Sequence, residues 1–209
     1  SSDLPKIGFK IPEVLTVEEI DRIISAVDMN KKEGQRNRAI LETLYSCGLR
    51  VSELCNLKLS DLYFEEGFIK VEGKGSKQRL VPISPRAIKE IKYWLTDRSL
   101  GKIKKGYEDY VFLARWGNNI SRIMVFHMIK ELAEKTGITK NISPHTFRHS
   151  FATHLLEGGA NLRAIQCMLG HESIATTEIY THIDRNMLRS EIIEHHPRNI
   201  KYRKERGIY

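Results

Sequence analysis

The sequence predicts a fold that is mainly α with a small three-stranded β-sheet, and three observations predict it. Apolar residues recur at helical spacing over most of the 209 residues. That period breaks in "GFIKVEGKGSKQRLVPIS", where two runs rich in Ile, Val and Leu flank a Gly- and Lys-rich tip and read as a β-hairpin. "YVFLA", at 110–114, is the expected third strand.

Taken in order, residues 1–15 carry Pro5, Gly8 and Pro12 without any period and are expected to form a linker or arm. The first helix opens on a capping box, Thr16 with Glu19, and lines up Ile20, Ile23, Ile24 and Val27 on one face. A second is expected over 35–47, stopped by Gly48, and "VSELCNL" begins a short third. Beyond the hairpin and the third strand, helices are expected over 85–97, 121–136, 144–157, 161–169 and 173–180, broken at Gly158, Gly159 and Gly170. A last amphipathic stretch, 187–194, ends at Pro197 and a basic tail, "RNIKYRKER". Its apolar stripe, Leu188, Ile192 and Ile193, needs a surface to cover, either on its own domain or on a neighbouring copy.

Composition bounds the function. Thirty-four Lys plus Arg against 26 Asp plus Glu leave a formal charge of +8. Solubility explains that excess as readily as an anionic partner does, until the basic groups converge on one site. Three cysteines, Cys47, Cys55 and Cys167, with no CxxC pair suggest neither a disulfide framework nor a zinc knuckle. They read as small buried residues in a reducing compartment. No signal peptide opens the sequence, and no apolar run approaches the roughly 18 residues that span a bilayer. The expectation is a soluble, cytoplasmic protein with no membrane partner.

"SPHTFRHSFATH" places three histidines and an arginine in twelve residues. His145 and His149 share the spacing of a zinc-binding HExxH helix, but the position of the glutamate base holds Thr146, and Arg148 sets a permanent cation beside any metal. An anion fits this cluster better. Ser143 is a candidate N-cap, Pro144 fits the first helical position, and His145 and Arg148 lie three apart on one face. Elsewhere Arg50 follows the helix-ending Gly48, with Glu53 three residues on; Lys74 and Lys77 sit on the hairpin tip; His171 starts a helix that carries Tyr180. Each alone has an ordinary structural reading: an ion pair, a solvated lysine, a packed tyrosine.

The ordered set is more specific. "GLRVSEL", "GKGSKQR", "SPHTFRHSFATHLLEGG", "LGHESIATTEIYTH" and "HPR" together resemble the catalytic domain of tyrosine recombinases of the phage-integrase family, nearest the Xer type, from about Leu15 to Arg198. The resemblance implies a mainly helical catalytic domain with a small antiparallel sheet. Residue by residue, it implies phosphate-binding arginines at Arg50 and Arg148, a hairpin lysine at Lys74, histidines at His145 and His171, and a nucleophile at Tyr180. It also implies a site-specific recombinase that cleaves and rejoins double-stranded DNA through a covalent 3′-phosphotyrosyl intermediate. The assembly would be a homo-tetramer, or a related hetero-tetramer, on two DNA sites, nucleoid-associated in the cytoplasm. A type IB topoisomerase acting as a monomer and a non-catalytic DNA-binding module are the alternatives.

The chemistry needs these residue types. A tyrosine hydroxyl is a competent covalent carrier of a phosphoryl group, and with a pKa of about 10 it needs a base or a positive field to lose its proton. His145 is the candidate base. Two guanidinium forks suit the non-bridging oxygens, so neither a metal nor a cofactor is expected. Lys74 on a hairpin tip can protonate the leaving 5′-oxygen. Glu53 would orient an arginine, while His149 and His154 are expected to be structural. Recombinases of this kind carry an N-terminal core-binding domain; with only 15 irregular residues before the first helix, 16–209 is expected to be the catalytic domain with its C-terminal helix and basic tail.

Overall fold

The computed structural model describes residues 13–170 and 185–207. Its helices are α1 (Val17–Ser25), α2 (Gly34–Cys47), α3 (Val51–Cys55), α4 (Pro85–Leu100), α5 (Arg122–Thr136), α6 (Pro144–Glu157), α7 (Leu162–Leu169), α8 (Arg185–His195) and α9 (Pro197–Glu205). The strands are β1 (Leu62–Tyr63), β2 (Phe68–Glu72) and β3 (Gln78–Pro82).

α1 starts where the capping box places it. Thr16 Oγ1 accepts from the Glu19 N–H at 3.1 Å, and Glu19 Oε1 accepts from the Thr16 N–H at 2.9 Å. α2 is buried on nearly every side, with Ala39, Ile40, Leu41, Leu44 and Tyr45 all sealed from solvent. Its buried polar residues, Arg36, Glu42, Thr43 and Ser46, are covered as well, and α4 and α6 flank the helix at the centre of the domain. α4 and α5 are capped by Ser84 and Ser121, whose side chains accept from Ala87 and Met124 backbone N–H groups.

The three strands form one antiparallel sheet in the order β1-β2-β3, with Leu62 opposite Ile69 and Ile69 opposite Val81. Ile69, Val71 and Val81 face the core. The strand count agrees with the sequence, but the third strand is Leu62–Tyr63 and not 110–114. Residues 110–114 make only isolated bridges, Lys58 with Tyr110 and Leu113 with Asn119. Side chains take their carbonyls instead: Arg98 Nε donates to Tyr110 O at 3.0 Å, Trp94 Nε1 to Val111 O at 2.8 Å and Arg36 Nη1 to Leu113 O at 3.2 Å. This run is apolar because it threads beneath α2 and α4, with no ladder required.

The basic tail is also not a tail. Pro197, read from sequence as a stop, occupies the first position of α9, where its missing N–H costs nothing. His196, Arg198 and Asn199 are buried. His196 Nε2 bonds the Tyr45 carbonyl at 3.0 Å while its Nδ1 accepts from the Arg198 N–H at 3.2 Å, so the neutral ring carries its proton on Nε2. Burial drives its pKa down to about 4. Arg198 Nη2 donates to Glu42 Oε1 at 2.9 Å, and its Nη1 pairs with Asp21. Leu188 and Ile192 are buried alongside α7 and β3, so in the lone chain the apolar stripe covers its own domain.

Candidate active site

Two helix C-termini converge on one side chain. α2 and α7 each end in a left-handed glycine, Gly48 at φ 64° and Gly170 at φ 68°, and their last carbonyls lack intrahelical partners. Arg148, on the second turn of α6, donates from Nη1 to Gly48 O at 2.7 Å and from Nη2 to Leu169 O at 2.8 Å. α6 can deliver it there because Phe151 and Leu155, three and seven residues on and so on the same side of the helix, are buried with Phe147 and seat that side in the core. Phe151 sits against Gly48 so closely that a Cβ there would lie 2.3 Å from its ring. Burial, then the neighbouring Arg50 charge, pulls the Arg148 pKa down to about 10, with Glu53 opposing, so the group stays cationic at neutral pH.

Glu53 is the hub of this cluster. It is 3% exposed, and its Oε1 accepts the Arg50 backbone N–H at 2.9 Å. Arg79 from β3 grips it with both Nη atoms, the Nη2 bond to Oε1 measuring 3.0 Å. Arg148 Nη1 stands 4.0 Å from the same oxygen. Burial alone would raise the Glu53 pKa, but the hydrogen bonds and charge of Arg79, with the Arg50 N–H, hold it below the usual carboxylate range. Two guanidinium groups, those of Arg79 and Arg148, thus face one carboxylate, and the Arg50 charge lies near enough to Arg148 to lower its pKa, so positive charge is in local surplus. Among the described residues no group pairs with the Arg50 guanidinium, which is partly exposed. A free fork beside a clamped one is an anion site of the kind a phosphate fits.

Other expected residues lie around it. His145 is exposed on α6, one turn before Arg148. Lys74 is exposed at the hairpin tip, where Gly75 (φ 66°) and Ser76 (φ 59°) supply the paired left-handed residues of a tight hairpin turn. Lys77 is exposed beside it, and among the described residues no hydrogen bond or ion pair joins Lys74 to Arg50 or Arg148. His154 is buried, with Tyr45 Oη 2.7 Å from its Nδ1, and burial lowers its pKa. His149 is half-buried. His171 and Tyr180 lie outside the described residues. Arg79 is the site residue the sequence reading passed over. It stands in the quoted "GKGSKQR", and only its inward position on β3 distinguishes it from the solvated cations around it.

The phage integrase family matches residues 13–187 of the chain. Tyrosine recombinase XerD of Staphylococcus saprophyticus is 43% identical over 196 residues, which is 94% of this chain and 66% of that protein. Tyrosine recombinase XerD of Halalkalibacterium halodurans is 42% identical with the same coverage. The chain therefore spans 66% of the length of these curated relatives. Among solved structures, XerA recombinase aligns with a TM-score of 0.70 and 36% identity over 89% of this chain and 66% of that one. XerH site-specific recombinase bound to difH substrate, a pre-cleavage complex, aligns with a TM-score of 0.69 and 30% identity over 82% of this chain and 51% of that one.

Proposed function

The chain belongs to the phage integrase family, and on that premise we propose that it is a site-specific DNA recombinase working through a 3′-phosphotyrosyl intermediate. The observation that carries this reading is the cluster around Glu53, where Arg148 is fixed by two helix ends and the Arg50 guanidinium is left unpaired among the described residues. DNA is the anion this site takes, in keeping with the XerH relative bound to difH substrate.

In the proposed step the Tyr180 oxygen attacks the scissile phosphorus, the bond to the 5′-oxygen breaks, and a tyrosyl 3′-phosphodiester forms. The phenol proton passes to His145, and the leaving oxygen takes one from Lys74. Arg50 and Arg148, with His171, neutralise the non-bridging oxygens as charge develops. The reverse attack, by a 5′-hydroxyl of another duplex, rejoins the strand and frees Tyr180. Exchange between two duplexes calls for four protomers, and in that assembly we infer that α8 leaves its own α7 and β3 to cover a neighbour.

The test is covalent trapping. A nicked duplex bearing a site selected from a randomised library by covalent capture is incubated with the chain and resolved on a denaturing gel. The expected product joins Tyr180 to a 3′-phosphate, and Tyr180→Phe abolishes it while DNA binding persists. An adduct on another of the eight tyrosines would sink the assignment.

A further inference from the structure

We propose that Arg79 is a positioning residue of strand cleavage, mounting the hairpin that carries Lys74 onto the arginine cluster. This rests on the recombinase reading above. The Arg79 side chain is 7% exposed, and all three of its nitrogens are engaged within the protein. Nη1 and Nη2 hold Glu53, and Nε donates to Met168 O at 2.9 Å. It is thus turned away from any ligand, unlike Arg50.

What it touches gives its role. Glu53 Oε1, which it grips, also takes the Arg50 N–H and faces Arg148. Gly73, the residue before Lys74, lies against the pair: a Cβ there would be 3.5 Å from both Arg79 Nη1 and Glu53 Oε2. Gly170 closes the other side, where a Cβ would stand 3.0 Å from Arg79 Cδ. One side chain therefore joins the base of the Lys74 turn, the helix that follows Arg50, and the end of α7 that Arg148 also holds. Residues 74–78 are exposed, so the tip takes its placement from this base. A planar fork with a third N–H can hold three such points at once; an ammonium carries the charge without that geometry.

A buried ion pair of purely structural value would, when weakened, lower stability and harm binding and chemistry together, whatever group departs from phosphorus. A mount for the proton donor has a different signature. Arg79→Lys should slow adduct formation on ordinary DNA by about 100-fold, the effect of an ångström-scale misplacement, with an unchanged Kd for the duplex. Replacing the bridging 5′-oxygen with sulfur creates a leaving thiolate that needs no proton, since a thiol ionises near pH 8.5. On that DNA Arg79→Lys should regain most of the parent rate, as Lys74→Ala should, while Arg148→Ala stays slow. If Arg79→Lys does not fold, Arg79→Gln, in which the Glu53 carboxylate still faces Arg148 at 4.0 Å, carries the same expectation. Absence of sulfur rescue, or binding that falls in step with cleavage, overturns the proposal. A parent chain that forms no adduct on either DNA overturns the recombinase reading and the proposal with it.

Discussion

Arg198 Nη2 donates to Glu42 Oε1 at 2.9 Å, fastening the start of α9 to the central helix across 156 positions of sequence. Glu42 is fully buried and also forms an ion pair with Arg86, whose Nε lies 3.3 Å from Oε1. Removing Arg198 leaves the buried Glu42 carboxylate to Arg86 alone, so Arg198→Ala should destabilise the domain by about 3 kcal/mol in urea unfolding, the low end of what breaking a buried pair costs. Arg198→Met combined with Glu42→Leu should cost clearly less than that single change. Additive losses would mean that the pair is not coupled.

Acid should loosen the same region. His196 is neutral in the fold, with its pKa lowered to about 4 by burial, whereas an unfolded histidine titrates near 6.5. The unfolded chain therefore binds the extra proton first, and the stability present above pH 6.5 falls as pH drops towards 4, by about 3 kcal/mol from this group. His154, also lowered by burial, acts in the same direction. The urea midpoint followed from pH 7 to 4 checks the slope, and His196→Asn should flatten part of it.

Gly48→Ala should be costly twice over. The residue sits at φ 64°, and its new methyl would meet the Phe151 ring at 2.3 Å. Left-handed backbone alone costs about 1–2 kcal/mol for an alanine, and the clash must add to it. Because Gly48 O anchors Arg148, adduct formation should fall further than stability predicts when assayed well below the melting temperature.

Chelation should leave cleavage unchanged. In the proposed step the charge that divalent ions bring to many phosphoryl transfers comes from guanidinium groups, so adduct yields in EDTA and in added magnesium should match. Arg50→Lys should lower the yield under both conditions, because it keeps a charge but loses the fork.

Sequence patterns revealed the helices where local chemistry dictates them. The Thr16 box and the glycine stops at Gly48 and Gly170 are written in a few adjacent residues. The strand Leu62–Tyr63 is two residues long and has no period to read, while 110–114 owes its apolar character to burial under Trp94 and Arg98. Pro197 had two meanings, stop or first turn, and burial of Arg198 decides between them. In the site, the spacing of His145 and Arg148 was visible because both lie on one helix. The role of Arg79 was not, because its partners Glu53 and Met168 are 26 and 89 residues away.

The docking of α9 also sets a schedule for the nascent chain. Glu42 emerges from the ribosome 156 residues ahead of Arg198, an interval of roughly 8–30 s at about 5–20 residues per second. Arg148 and Leu169, by contrast, emerge earlier, so the arginine cluster around Glu53 has its described members before Glu42 has Arg198. Throughout that interval α2 holds a carboxylate that the finished fold seals from water. The central helix is thus among the first elements made, and its Glu42 gains Arg198 only after residues 196–198 have emerged.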